Sequence, residues 1–449
     1  MSALTHQLGA EGDTPSATPP PHVGQLGLWT GVGLVVANMV GAGVFLSMGF
    51  MVAYGGMGPL AVLVAWAIGA VFALLGTQAY GALAAHSGRS GGEYQLLSEH
   101  LHPAVGWTAG WASLLLGFSA PIAVDALAVG AYASVLAPGL VDARLVATVT
   151  VLGLAAVHGA DHRSSRWAQD ALLVVKGLLL VGFVVAGLAL GARAWPTWSS
   201  PGATSSALPW GAILDQQYWV AFAFSGWNAA VYVAGEFRAP RRDVPRAMLL
   251  GCGLVGILYL LLNYVFVANL SPLDIPDPTR LSRGGDMLGH VVALKLLGPV
   301  GGTIMSAVTL LVFLSATSAM ILAGPRVVAS MAADGALPSV FRTRHGHPPR
   351  AAAWLQAGIA LLLVWTQSLR DAVESTSSVL LLFTGLVAVA AARLPTARPG
   401  QRLAGGAYAL FAGYLLVRGI TEKPHVAWIL GLALVAFALR SFLTSRAPR

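Results

Sequence analysis

What most constrains this chain is the repetition, almost from end to end, of apolar runs long enough to cross a bilayer. From Leu28 to well past Ile68 there is no Asp, Glu, Lys or Arg. Comparable runs follow one another through the rest of the sequence. A membrane-spanning helix needs about 20 apolar residues. Hydrophobic residues make up 56% of the 449 and charged ones only 10%, with a mean hydropathy of +0.72. The fold class this implies is an all-α, polytopic membrane protein.

Residues 1–26 are polar and Pro-rich and read as a disordered tail without the pattern of a cleavable signal peptide. Twelve candidate spans follow: roughly 27–53, 58–85, 104–137, 144–159, 167–192, 212–238, 245–269, 299–331, 351–367, 372–393, 404–420 and 425–443. An even count puts both termini on one side. Of the 26 Lys and Arg, 17 fall on that side, 8 on the other, and Lys176 lies within a span. The positive-inside rule then makes the termini cytoplasmic, in an inner membrane. The net charge of +8 is spread over short loops, which excludes a nucleic-acid partner. Cys252 is the single cysteine, so no internal disulfide and no cysteine metal cluster can form.

Gly41 and Gly43 interrupt the first span, in "VVANMVGAGVFLSMG". Glycine weakens a helix, and in hydrocarbon a break is tolerated only where it is buried in protein or lines a cavity. Ser225, Gly226 and Asn228 interrupt the sixth span in the same way, about 183 residues later. Each interruption opens a five-span unit, 27–192 and 212–393, which leaves 394–449 for two further helices. Units with an odd number of spans must insert in opposite orientations. Broken spans at matched positions of two such halves point to a substrate site.

Unwinding around Gly41 would leave free N–H groups at the start of a half-helix, where partial positive charge suits a carboxylate. Unwound carbonyls around Phe222 to Ser225 would suit an ammonium. Together they describe a site for an α-amino acid. The competing reading is that the glycines merely let helices pack closely.

The stretches "GAGVF" (41–45), "SGGEY" (90–94), "FAFSGWNAAVYVAGEFRAPRRDVPRA" (222–247) and "GPRVVASMAADGALP" (324–338) resemble the amino acid–polyamine–organocation superfamily, and in it the bacterial relatives of the L-type amino acid transporters. The resemblance runs from about residue 27 to 443. It implies a five-plus-five inverted repeat of the leucine-transporter type, with broken helices 1 and 6, and alternating-access transport. It assigns the substrate carboxylate to the backbone N–H groups of Ala42 and Gly43, and the amino group to the carbonyls of Met39, Phe222, Ala223 and Ser225. Phe222 would also be the gate, with Gly226 and Asn228 in the side-chain pocket. The family usually carries Ser at the place of Ala42, and two acids where this chain has Gly235-Glu236.

Lys176 lies nine residues after Trp167, about 13 Å along a helix and near mid-membrane. A lysine there costs about 2.5–3.5 kcal/mol to insert and faces protein or water. The resemblance makes it the occupant of a sodium site, joining the first span at Gly41 to hydroxyls of the eighth at Ser315, Thr317 and Ser318. Transport would then be sodium-independent. Asp125, midway along the third span, is an acid outside the family's usual pattern. It reads as a proton-coupling site, as a contact for a cationic substrate, or as a satisfied structural acid.

The pairs His345/His347 and His100/His102 lack further ligands close in sequence and read as loop or interface residues rather than metal sites. A membrane enzyme would need HExxH, GxSxG or paired acids within a span, and none of these lies within the candidate spans. A sensor or assembly subunit would normally carry a soluble domain, and the tail and loops here are short. The reading is an amino-acid permease, proton-coupled or exchanging, with cationic amino acids or polyamines as the alternative substrates. The partners it implies are the lipid bilayer, the small-molecule substrate and protons. No cofactor, metal, catalytic residue or disulfide-linked accessory subunit is expected, and the external loop "APGLVDA" contains no Cys.

Overall fold

The first apolar run is two helices, α1 (Leu28–Met39) and α2 (Ala42–Gly55), which meet at 44°. Val40 and Gly41 between them are extended. A computed structural model describes residues 26–160, 162–192, 195–196, 208–270, 272–274, 288–343, 349–367 and 369–422, with isolated residues between 428 and 439. The tail before Leu26, His345, His347 and most of the expected twelfth span fall outside the described residues.

After α2 come α3 (Pro59–Ser87) and a short α4 (Glu93–His100), which starts at the "SGGEY" motif. The third span is α5 (Pro103–Ala112) and α6 (Ser119–Leu136), joined without a break by a π-helical segment, Ser113–Phe118. Then follow α7 (Ala143–Ala160) and α8 (His162–Leu190). The sixth run is in pieces: α9 (Trp210–Asp215), α10 (Gln217–Phe224) and α11 (Ala229–Tyr232). Next is α12 (Pro240–Asn269).

The span expected at 299–331 opens where the sequence places it: α13 (Leu288–Ala323) is two helices across a kink at Gly298, the second beginning at Pro299, and a separate α14 (Pro325–Ala333) follows Gly324. Proline explains both edges: Pro299 and Pro325 cannot donate to the preceding turn. The chain ends in α15 (Arg350–Thr366), α16 (Leu369–Arg393) and α17 (Pro399–Glu422). Among the described residues eight helices are long and apolar enough to cross a membrane, or nine with the bent α1–α2 pair.

Between helices in lipid, association rests on close packing rather than on escape from water. Two glycines carry the contact between the broken runs. A Cβ on Gly43 would lie 2.5 Å from the Ala223 Cα, so α2 and α10 touch backbone to backbone. Gly226 has φ +97°, and its Cβ would meet the Asn38 carbonyl oxygen at 2.8 Å. Only glycine takes both that conformation and that approach without strain. Around this crossing Trp66, Phe224 and Tyr259 form a buried aromatic knot, with ring centroids 5.1–5.9 Å apart. Such pairs add about 0.5–1.5 kcal/mol each beyond burial.

The segment before α1 is pinned to the segment after α11. The Leu26 N–H donates to the Glu236 carbonyl at 2.9 Å and the Arg238 N–H to the Leu26 carbonyl at 3.0 Å. The "SGGEY" loop clamps the same region. Gly91 N–H donates to the Tyr232 carbonyl, Gly235 N–H to Ser90 Oγ, and Ser330 Oγ to the Ser90 carbonyl.

Candidate functional site

The two interruptions face each other across a pocket lined by Asn38, Phe118, Ser225, Gly226, Asn228 and Tyr232, among others. The first of these is the penultimate residue of α1, and the next closes the π-helical segment, a departure from regular helix that is frequent at functional sites. Of the residues expected from the sequence, Ser225, Gly226 and Asn228 line this pocket. Met39, Gly41, Gly43, Phe222 and Ala223 surround the crossing of the broken runs, and Ala42 opens α2. Phe222 is buried, and its carbonyl accepts from Ser225 N–H at 2.9 Å, closing the end of α10.

Tyr259 of α12, absent from the expectations above, holds the crossing together. Its hydroxyl lies 2.6 Å from the Met39 carbonyl oxygen and 3.0 Å from that of Ala223. One proton is thus shared by two of the carbonyls expected to meet an ammonium, and each keeps a lone pair for another donor. Ser47 Oγ of α2 donates to the Trp219 carbonyl of α10 at 3.1 Å, a second tie between the two half-helices. No spacing pattern flags Tyr259; only the crossing of its helix with both breaks gives it this place.

Lys176 is fully buried. Its ammonium donates to the Ala37 carbonyl at 3.0 Å and to the Val40 carbonyl at 2.8 Å. Those carbonyls lose their helical partners because α1 stops at Met39, so the lysine satisfies groups the break leaves bare. The eighth-span hydroxyls are arranged differently from the expected bridge. Ser318 Oγ lies 2.7 Å from His158 Nε2 of α7, and Thr317 Oγ1 donates to its own helix at Phe313. Ser315 Oγ is buried with no hydrogen bond among the described residues. Asp125 sits against the same break: a Cβ on Gly41 would meet its carboxylate oxygens at 3.0 and 3.1 Å. Its charge acts on Lys176.

Beneath the pocket lies a buried carboxylate that sequence reasoning missed. Glu93, first residue of α4, accepts from Tyr80 Oη at 2.7 Å, from Asn228 Nδ2 at 2.5 Å and from Tyr232 Oη at 2.5 Å. The motif holding Glu93 was legible as part of the family resemblance, but nothing in its spacing singled out the acid. Nearby, Arg326 Nε donates to Glu236 Oε1 at 2.8 Å, tying α14 to the end of the sixth run.

The remaining candidates are structural. His102 Nδ1 accepts from Ala104 N–H at 3.1 Å and caps α5. Burial pushes the pKa of His100 below its ordinary value, against the pull of Glu99 beside it. Among the described residues no group of three or more His, Cys, Asp or Glu is placed to hold a metal.

A sequence profile of the amino acid permease family matches residues 26–444. The chain belongs to that family. It is similar to the serine/threonine exchanger SteT of Bacillus subtilis (strain 168), 25% identical over 345 residues that cover 76% of each chain. It is 25% identical over 442 residues to the large neutral amino acids transporter small subunit 2 of Oryctolagus cuniculus, covering 92% of this permease and 78% of that protein. To the b(0,+)-type amino acid transporter 1 of Mus musculus it is 25% identical over 298 residues, 63% of this chain and 61% of the relative. The permease is therefore a multi-pass membrane protein of the amino acid–polyamine–organocation superfamily.

Proposed function

We propose that this permease carries neutral amino acids across the cytoplasmic membrane by alternating access, without sodium, by exchange or with protons. Both termini lie in the cytoplasm, and twelve spans form two inverted five-helix repeats, 27–192 and 212–393, followed by two further helices in 394–449. The substrate carboxylate meets the N–H groups of Ala42 and Gly43 at the start of α2. The amino group meets the free lone pairs of the Met39, Phe222, Ala223 and Ser225 carbonyls, and the side chain enters the pocket at Gly226 and Asn228. Phe222 gates it.

The observation that carries the reading is Lys176 on the carbonyls of Ala37 and Val40. A fixed ammonium held on the carbonyls of an interrupted helix does the work of a bound cation. The names of the relatives, which include serine/threonine and large neutral amino acid carriers, agree with a neutral amino acid. A second reading, cationic amino acids or polyamines, draws on Asp125, whose carboxylate lies against the break at Gly41.

The test is radiolabelled amino-acid uptake into proteoliposomes containing the pure protein, with sodium gradient, proton gradient and internal amino acid varied separately. Uptake of neutral amino acids without sodium supports the reading, and dependence on internal amino acid or on the proton gradient names the coupling. Strict sodium dependence rejects the role of Lys176. Uptake of amines in place of neutral amino acids selects the second reading.

A further inference from the structure

We propose that Asn228 sets the side-chain preference of this permease for substrates carrying a hydrogen-bond donor, small hydroxyl amino acids above all, and that Glu93 is the residue that positions it. The inference rests on the pocket being the amino-acid side-chain subsite proposed above.

An amide side chain has two hydrogens to give and one oxygen to receive. Both hydrogens of Asn228 are committed within the protein: one goes to Glu93 Oε1 at 2.5 Å and the other to Tyr232 Oη at 3.1 Å. The Tyr232 proton goes in turn to Glu93 Oε2, and the Tyr80 proton to Glu93 Oε1. Glu93 thus accepts from Asn228, Tyr232 and Tyr80 alike. What Asn228 offers the pocket it lines is its oxygen. Tyr232 has no proton left to give.

The consequence is chemical. A buried acceptor rewards a substrate that brings a donor and penalises one that leaves it bare. The carboxylate behind the amide also polarises it, which strengthens the oxygen as an acceptor. Phe118, Met320 and Leu380 supply apolar wall, and Ser225, whose hydroxyl can both donate and accept, does not choose between substrates. Asn38 gives one hydrogen to the Leu34 carbonyl and keeps one hydrogen and its oxygen, so it serves donors and acceptors alike. Discrimination falls on Asn228.

Serine and 2-aminobutyrate match in size and differ in having a hydroxyl or a methyl group. In proteoliposomes the unmodified protein is expected to favour serine by about tenfold in kcat/KM, the value of one well-made hydrogen bond. Asn228→Leu is expected to bring that ratio close to one. Glu93→Gln, which has one acceptor oxygen fewer for the same three donors, leaves the Asn228 amide free to turn. It is expected to lower the ratio by about threefold, whatever it does to the absolute rate. A ratio near one in the unmodified protein overturns the inference even if neither variant folds. An unchanged ratio in Asn228→Leu also overturns it, and an unchanged ratio in Glu93→Gln removes Glu93 from it. Alanine uptake, followed in the same vesicles, separates the two levels. Alanine carried without a serine preference is a failure of this inference, whereas no uptake of any of the three is a failure of the amino-acid site itself.

Discussion

The ammonium of Lys176 lies 2.8 Å from the carbonyl oxygen of Val40, the first residue of the break between α1 and α2. That contact joins a helix outside the broken pair to the point where the first run changes direction. It also satisfies a backbone acceptor that no helix turn can reach. Break and lysine are therefore one device: without the cation, the unwound carbonyls would face each other bare.

Lys176→Met keeps an unbranched side chain only one atom shorter and removes the charge. Two buried carbonyls, those of Ala37 and Val40, then lack their donor, at a cost of about 1–3 kcal/mol each. The expected result is a lowered midpoint of thermal unfolding in detergent and a loss of uptake greater than tenfold. Full uptake in a correctly folded variant would show that the lysine is idle in the cycle.

Tyr259→Phe removes one oxygen and leaves the aromatic knot with Trp66 and Phe224 intact. The Met39 and Ala223 carbonyls lose their shared donor. Stability should fall by about 1–2 kcal/mol, and KM should rise more than kcat falls, because the carbonyls proposed to receive the amino group are no longer held in place. A change confined to stability, with KM untouched, would separate Tyr259 from substrate binding.

How much of this was legible in the sequence varies residue by residue. The break at Gly41 was, because small and polar residues interrupt the sixth span at the matched place, and so was the burial of Lys176, because a lysine at mid-membrane must find acceptors. The partners were not. Spacing along a chain says which face of a helix a residue occupies and nothing about which helix lies opposite. Tyr259, Glu93 and the pairing of Ser318 with His158 all depend on contacts between residues 36 to 220 positions apart. The helix that precedes Pro299 was hidden for a different reason: residues 288–297 carry a His and a Lys and are too short to read as a span of their own.

Gly43→Ala tests the contact between the two broken runs. The added methyl would sit 2.5 Å from the Ala223 Cα, a backbone atom that cannot swing aside. Overpacking of this kind costs about 1–3 kcal/mol, and here it separates α2 from α10 at the site itself. Uptake should be abolished, with reduced thermal stability. Gly406→Ala in α17, where nothing lies within 4 Å, is the control and should leave both measurements nearly unchanged. Equal behaviour of the two variants would mean that the close approach does not matter.

Asp125 decides between coupling modes, and the sign of its effect can be stated in advance. Its carboxylate lies against Gly41 and acts on Lys176, so gaining or losing a proton there changes the charge beside the break without any movement of chain. A group that carries a proton inward must bind it from outside and release it to the cytoplasm. Uptake would then rise as the external pH falls and decline as the external pH rises through the titration of that group. Asp125→Asn is neutral at every pH, with the same shape and one donor more. In a proton-coupled carrier this variant flattens the pH profile and ends the response to an imposed proton gradient, while exchange against internal amino acid persists. In a pure exchanger the unmodified protein already shows a flat profile and a full dependence on internal substrate, and Asp125→Asn then changes affinity alone. A pH slope that survives the substitution assigns the proton to another group and leaves Asp125 as a structural acid that balances the charge of Lys176.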